Sequence, residues 1–149
     1  MNLSMIRYVL GLVMIFEGAF LSLPCIVAIL YQEKKGFSFL IMMVICLVFG
    51  FLLRYNKPKN HVFYAKEGFV TVAASWIVLS FFGGLPFVLN GDIPSVVDAM
   101  FETVSGFTTT GSSILSDVEA LSRCSLFWRS FTHWIGGMGV FVFVLAVMP

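Results

Sequence analysis

The chain has 149 residues, 59% of them hydrophobic and only 11% charged, with a formal net charge of +1. Soluble domains carry roughly 25% charged residues, so composition excludes an ordinary water-soluble globule and points to an all-α integral membrane protein. Nothing in this balance marks a nucleic-acid partner; the expected surroundings are membrane lipid.

Charge is distributed in blocks. Residues 8–32 hold one charged side chain, Glu17, and residues 37–53, 68–91 and 130–149 hold none. About 20 apolar residues cross the hydrocarbon core of about 30 Å, so four spans are expected, at residues 8–30, 37–53, 68–89 and 126–148. The first begins after Arg7 like a secretory signal, but its apolar run is too long and no A-x-A site closes it, so it is read as an uncleaved span. Pro24 should kink its outer half by removing a helical N–H. Residues 32–36 form a tight polar turn.

Between the second and third spans, Arg54, Lys57, Lys59 and Lys66 against Glu67 give a net +3. The positive-inside rule places this segment and the N-terminus in the cytoplasm, although Lys34 and Lys35 in the opposite turn oppose it. The third span carries Gly83, Gly84 and Pro86 in its outer third, where a bend or fraying is expected. Asn90-Gly91 signals a turn. Residues 90–125 are acidic, with Asp92, Asp98, Glu102, Asp117 and Glu119 against Arg123. Of these, Asp92, Asp117 and Glu119 are candidates for an outer cation funnel.

Ser95 is a good N-cap, with Asp98 three residues on. Val97, Met100, Phe101 and Val104 then share one face at helical spacing. Gly106 is expected to end this helix in the left-handed conformation. About 10 residues span roughly 15 Å, too little to cross a bilayer and enough to reach its middle. The loop that follows, Phe107-Thr108-Thr109-Thr110-Gly111-Ser112-Ser113, is small, glycine-bearing and uncharged. At membrane depth such a backbone is tolerated where its carbonyls line a cavity, and carbonyls of that kind replace the water shell of a cation. In the last span, Phe127, Trp128, Phe131 and Trp134 mark interface depth. Gly136, Gly137 and Gly139 permit close helix packing.

Outer helix, short pore helix, filter loop and inner helix form the repeat of potassium channels. In detail the chain resembles the Trk/Ktr/HKT superfamily of potassium transporters, within it the bacterial TrkH-type proteins. The matching residues are Lys66-Glu67-Gly68-Phe69, Gly84-Leu85-Pro86-Phe87, the run from Asp98 through Phe101-Glu102-Thr103 to Gly111, and Phe127-Trp128-Arg129 through Gly136-Gly137-Met138-Gly139. The resemblance implies two leading transmembrane helices over residues 1–60 and one pore repeat over residues 61–149. It implies a potassium site made mainly by backbone carbonyls of Thr108, Thr109, Thr110, Gly111 and Ser112, with potassium as transported substrate and no cofactor. It further implies a multi-pass protein of the bacterial plasma (inner) membrane and a cytoplasmic nucleotide-binding regulatory subunit of TrkA/KtrA type. The family carries four repeats around one pore, so the chain reads as an N-terminal portion whose pore needs further repeats or other copies. The alternative is a truncated membrane fragment, inert or partner-binding, without transport of its own.

The remaining residues are less pointed. Glu17, an acid in mid-span, is a functional suspect by default, and a packing role outside the ion path is favoured. Arg129 either pairs with an acid such as Glu102 or faces headgroups. His61 and His133 have no ligand spacing and are read as interface residues. Cys25, Cys46 and Cys124 show no zinc or C-x-x-C pattern and are read as packing residues. With no partner for Glu17 at its depth, no catalytic constellation forms and no enzyme is expected.

Overall fold

The computed structural model describes residues 3–55, 58 and 64–147. His61, Lys57 and Lys59 lie outside the described residues. Among those described, all regular structure is helical: α1 (Leu3–Phe20), α2 (Ser22–Leu30), α3 (Gly36–Arg54), α4 (Ala65–Leu89), α5 (Val96–Phe107) and α6 (Arg123–Val147). Three stretches are long and apolar enough to cross a membrane: Leu3–Leu30, Gly36–Arg54 and Ala65–Leu89, with mean hydropathies of 2.3, 2.7 and 2.0. The fourth expected span corresponds to α6, whose 25 residues begin three positions earlier than expected, at Arg123.

The first span is interrupted at Leu21 rather than at Pro24 itself. Pro24 offers no N–H to the Phe20 carbonyl, one turn upstream, so the ladder breaks there. Ser22 helps by donating its hydroxyl to the Ala19 carbonyl at 2.6 Å. The third span, by contrast, stays helical through Gly83, Gly84 and Pro86 to Leu89, and the expected fraying does not occur. Pro86 and Phe87 are buried there, so packing holds the turn that lacks one hydrogen bond.

α1 lies along α3 and also meets α4; α2 sits between α3 and α6; α5 is held between α4 and α6. The α1–α3 crossing is close because small residues face each other: a Cβ on Gly50 would stand 2.7 Å from Ile15 Cγ1, and one on Gly11 would stand 2.8 Å from the Gly50 carbonyl oxygen. Such close approach is how helices associate where water gives no hydrophobic drive. At one end of this pair Arg54 donates to the Tyr8 hydroxyl at 2.8 Å.

At the opposite end, polar residues tie the leading helices to the rest. Glu33 accepts the backbone N–H groups of Arg123 and Cys124 at 3.0 and 3.1 Å, capping α6 from 90 residues away in sequence. Lys35 forms an ion pair with Asp92, whose side chain is only 3% exposed. Ser122 donates to Asp92 at 2.6 Å, and Asn90 to Ser125 at 2.8 Å. The Asn90-Gly91 turn forms as expected, with Gly91 at φ 77° and the Asn90 side chain accepting the Asp92 N–H at 3.0 Å.

Candidate ion-coordinating site

Ser95 caps α5 by accepting the Asp98 N–H at 3.4 Å. The helix then runs for 12 residues and stops opposite the middle of its neighbours. Phe107 meets Trp76 of α4 at 6.3 Å between ring centroids. Trp76 and Gly136 each lie 13 residues from the loop end of their helices, which is about 20 Å at the standard rise. α5 therefore ends about 20 Å along its neighbours from their loop ends, a length comparable to half of a bilayer's thickness.

Its buried face is small and polar: Ala99, Glu102, Thr103, Ser105, Gly106 and Phe107. Thr103 donates to the Ser80 carbonyl of α4 at 2.8 Å. Gly106 is not the expected left-handed stop. It is helical, and its missing Cβ makes room for Thr132, whose Oγ1 would lie 2.2 Å from that Cβ. Gly136 serves the same end from α6, where a Cβ would fall 2.2 Å from the Phe107 carbonyl oxygen. The left-handed residues come later, Thr109 at φ 55° and Gly111 at φ 78°. Glycine adopts that region freely, whereas a β-branched threonine there is a strained backbone, of the order of 1–3 kcal/mol.

The five residues picked from sequence, Thr108, Thr109, Thr110, Gly111 and Ser112, form one exposed loop below α5. The N–H groups of Thr108, Thr109 and Thr110 turn back onto Val104, Gly106 and Ser105 carbonyls at 2.9, 3.0 and 2.9 Å. The Thr108 hydroxyl lies on the Val104 carbonyl at 2.7 Å and within 2.8 Å of the Thr110 hydroxyl. With the donors turned inward, the carbonyl oxygens of Thr108 to Gly111 receive no hydrogen bond from any described residue. Ser112 differs, because its carbonyl accepts the Ser105 hydroxyl at 2.6 Å.

The returning limb climbs back along α5 and is pinned by one carboxylate. Glu102, 1% exposed, accepts the Ser113 hydroxyl at 3.0 Å on each oxygen and the Ile114 N–H at 3.1 Å. Arg129 of α6 closes the cluster with an ion pair to Glu102. Of the two readings left open for Arg129, pairing is the one formed. The roles of Ser105 and Ser113 were not singled out from sequence, since a serine in a polar loop carries no mark of its partner.

The proposed acidic funnel does not assemble around all three residues. Asp92 is engaged by Lys35 and Ser122, and the Asp117 carboxylate accepts the Glu119 N–H at 3.0 Å within its own turn. Burial by itself raises the Asp92 and Glu33 carboxyls; for Asp92 the Lys35 ammonium and serine hydroxyls outweigh it, and for Glu33 the Arg123 and Cys124 N–H groups do. Both are held below the usual carboxylate range. Glu17 is 2% exposed, with neither oxygen hydrogen-bonded. It lies against α4, where a Cβ on Gly83 would stand 3.0 Å from its Oε1, and it lines a cavity with Phe20, Leu79, Phe107 and Trp128. His133 Nδ1 lies 2.9 Å from the Arg129 carbonyl. The three cysteines are free, two of them buried.

Residues 35–149 match the family model described as "TrkH: Cation transport protein", and the chain belongs to that family. It is 40% identical over 144 residues to an uncharacterized cation transporter of Methanocaldococcus jannaschii, covering 96% of this chain and 30% of that protein. It is 36% identical to the Trk system potassium uptake protein TrkH of Vibrio parahaemolyticus, covering 98% and 30%, and 33% identical to TrkH of Escherichia coli, covering 100% and 31%. The crystal structure of the potassium transporter TrkH from Vibrio parahaemolyticus superimposes with a TM-score of 0.91 at 34% identity, over 100% of this chain and 32% of that one. The chain thus spans about a third of the length of the relatives it matches.

Proposed function

We propose that this chain supplies one filter-bearing repeat of a potassium uptake transporter. The carbonyls of Thr108, Thr109, Thr110 and Gly111, with the remaining lone pair of Ser112, coordinate dehydrated potassium. Residues 61–149 form the repeat, and residues 1–60 are a leading pair that braces it. A bare ion in hydrocarbon costs tens of kcal/mol on the Born estimate, so an ion path needs oxygens that already lack partners. The observation that carries the reading is the row of unbonded carbonyls from Thr108 to Gly111, on a loop whose first three N–H groups are turned back onto α5. The carboxyl end of α5 adds about half a negative charge behind them. A potassium uptake role is also what the names of the TrkH relatives state for those proteins.

One repeat offers one side of a coordination cage, so the full site takes further repeats or other copies. The basic segment at residues 54–67 faces the cytoplasm in this reading, where a nucleotide-binding subunit of TrkA/KtrA type would dock. The rival, an inert or partner-binding fragment, is favoured by one observation: the loop and the apolar face of α5 are both exposed in the chain by itself. Rescue of potassium-limited growth in an uptake-deficient cell separates the two. Rescue that Gly111→Ala abolishes, with membrane insertion unchanged, supports transport. Insertion without rescue, alone or with complementary repeats supplied, supports the inert reading.

A further inference from the structure

One face of α6 is an aromatic stripe headed by a cation. Arg123, Phe127, Phe131 and Trp134 follow one another at three- and four-residue spacing, the spacing of one helix face. Phe127 stacks on Phe131 at 5.7 Å with planes 13° apart, and Phe131 on Trp134 at 5.2 Å and 20°. Phe20 meets Phe131 edge-on at 5.5 Å from the other side. Two shallow cavities follow this stripe. One, of about 320 Å³, is lined by Val27, Tyr31, Arg123, Leu126 and Phe127. The other, of about 360 Å³, is lined by Phe127, Ser130, Phe131 and Trp134. They share Phe127 and so form one track. The helical rise from Arg123 to Trp134 gives it a length of about 16 Å, close to the hydrocarbon depth of one leaflet.

The head of the track carries a cation, Arg123, with one carboxylate, Glu33, close by. The Arg123 guanidinium lies 4.8 Å over the Tyr31 ring, and among the described residues it forms no ion pair. The neighbouring carboxylate, Glu33, is turned onto the backbone N–H groups of Arg123 and Cys124. A cation and a phenol above a mostly aromatic trough fit an amphiphile with a negative head.

We propose that the α2–α6 seam binds an anionic glycerophospholipid. One acyl chain lies along Phe127, Phe131 and Trp134, and the phosphate sits on Arg123 and the Tyr31 hydroxyl. The lipid would fasten the leading helices to α6 beside the capping contact of Glu33. Lys34 stands apart from this track, on the α2–α3 groove with Gln32 and Phe37, and serves as the control cation.

The test is a lipid titration of the purified chain in neutral detergent, reading thermal unfolding. Phosphatidylglycerol should stabilise saturably and bind about fivefold tighter than phosphatidylcholine, the factor expected for one basic residue at the headgroup. Glycerol phosphate, the head without its chains, should produce no shift. Arg123→Gln should bring phosphatidylglycerol down to the phosphatidylcholine level while leaving the latter unchanged, which also shows that the variant is folded. Lys34→Gln should keep the full preference, and Ser130→Trp, which fills the lower trough, should weaken both lipids. Equal affinity for the two lipids, a preference that survives Arg123→Gln, or one lost in Lys34→Gln would each overturn the proposal. So would a dimer without lipid preference that Ser130→Trp abolishes, because a second copy would then occupy the seam.

Discussion

The two faces of α5 obey opposite rules. The face turned into the protein is built from Ala99, Glu102, Thr103, Ser105 and Gly106, small groups that allow close approach and polar groups that each find a hydrogen-bond partner. The face turned outward is apolar, with Val97 76% and Phe101 47% exposed. In water the pattern would be reversed. Next to lipid or to other apolar protein, burying a methyl group gains little, while close approach and satisfied hydrogen bonds decide what packs. The helix is therefore anchored by its polar side, and mutations on the two faces should differ sharply.

The largest effect is expected from Glu102→Gln. It leaves the Arg129 side chain, 16% exposed, without its counter-charge, and breaking a buried pair by removing one partner costs about 3 kcal/mol or more. Thermal stability in detergent should fall steeply, and protease access to residues 108–114 should rise as the returning limb loses its anchor. Unchanged stability would show that the polar face does not hold α5. Next comes Gly136→Ala, where the new Cβ would meet the Phe107 backbone at 2.2 Å. Backbone cannot rotate aside as a side chain can, so about 2–3 kcal/mol is expected, read by the same melt.

Gly111→Ala separates conformation from crowding. Nothing lies within 4 Å of the added Cβ, but φ is 78°, and an L-residue there costs about 1 kcal/mol. Stability should change little while potassium uptake is lost. A variant that retains uptake and potassium preference would break the link between loop shape and selection. On the outward face Val97→Ala should shift stability of the isolated chain by less than about 0.5 kcal/mol, and a larger loss would mean that this face is already packed.

A smaller effect concerns acid. Glu33 and Asp92 are held below the usual carboxylate range. A carboxyl lowered on folding stabilises the protein above its unfolded value and loses that contribution as pH falls through the lowered one. Melting temperature should be level from neutral to about pH 5 and decline below about pH 4. Asp92→Asn should blunt that decline. A decline beginning near pH 6 would point to another group.

Much of this fold can be read from sequence because hydropathy and charge-free length report directly on membrane crossing; the start of α3 at Gly36 and the end of α4 at Leu89 fall within a residue of the expected limits. Ser95, a cap whose partner is three residues away, is equally readable. What sequence hides is any role that depends on a distant neighbour. Gly106 carries the same letter whether it turns the chain or admits Thr132, and only the structure shows the second. Glu33 gives no sign that it will cap a helix 90 residues on. Within the candidate site the loop was legible from its composition. Its clamp was half legible in Glu102 and Arg129, and the engaged Ser112 carbonyl was not.

The central claim concerns the peptide oxygens of residues 108–112. Infrared difference spectra on exchanging sodium for potassium, with ¹³C carbonyls at Thr109, Thr110 and Gly111 in the smallest assembly that takes up potassium, address it directly. The account predicts a potassium-specific shift of the labelled carbonyl band that disappears in Gly111→Ala. A labelled band indifferent to which cation is present, in an assembly that still transports potassium, would contradict it.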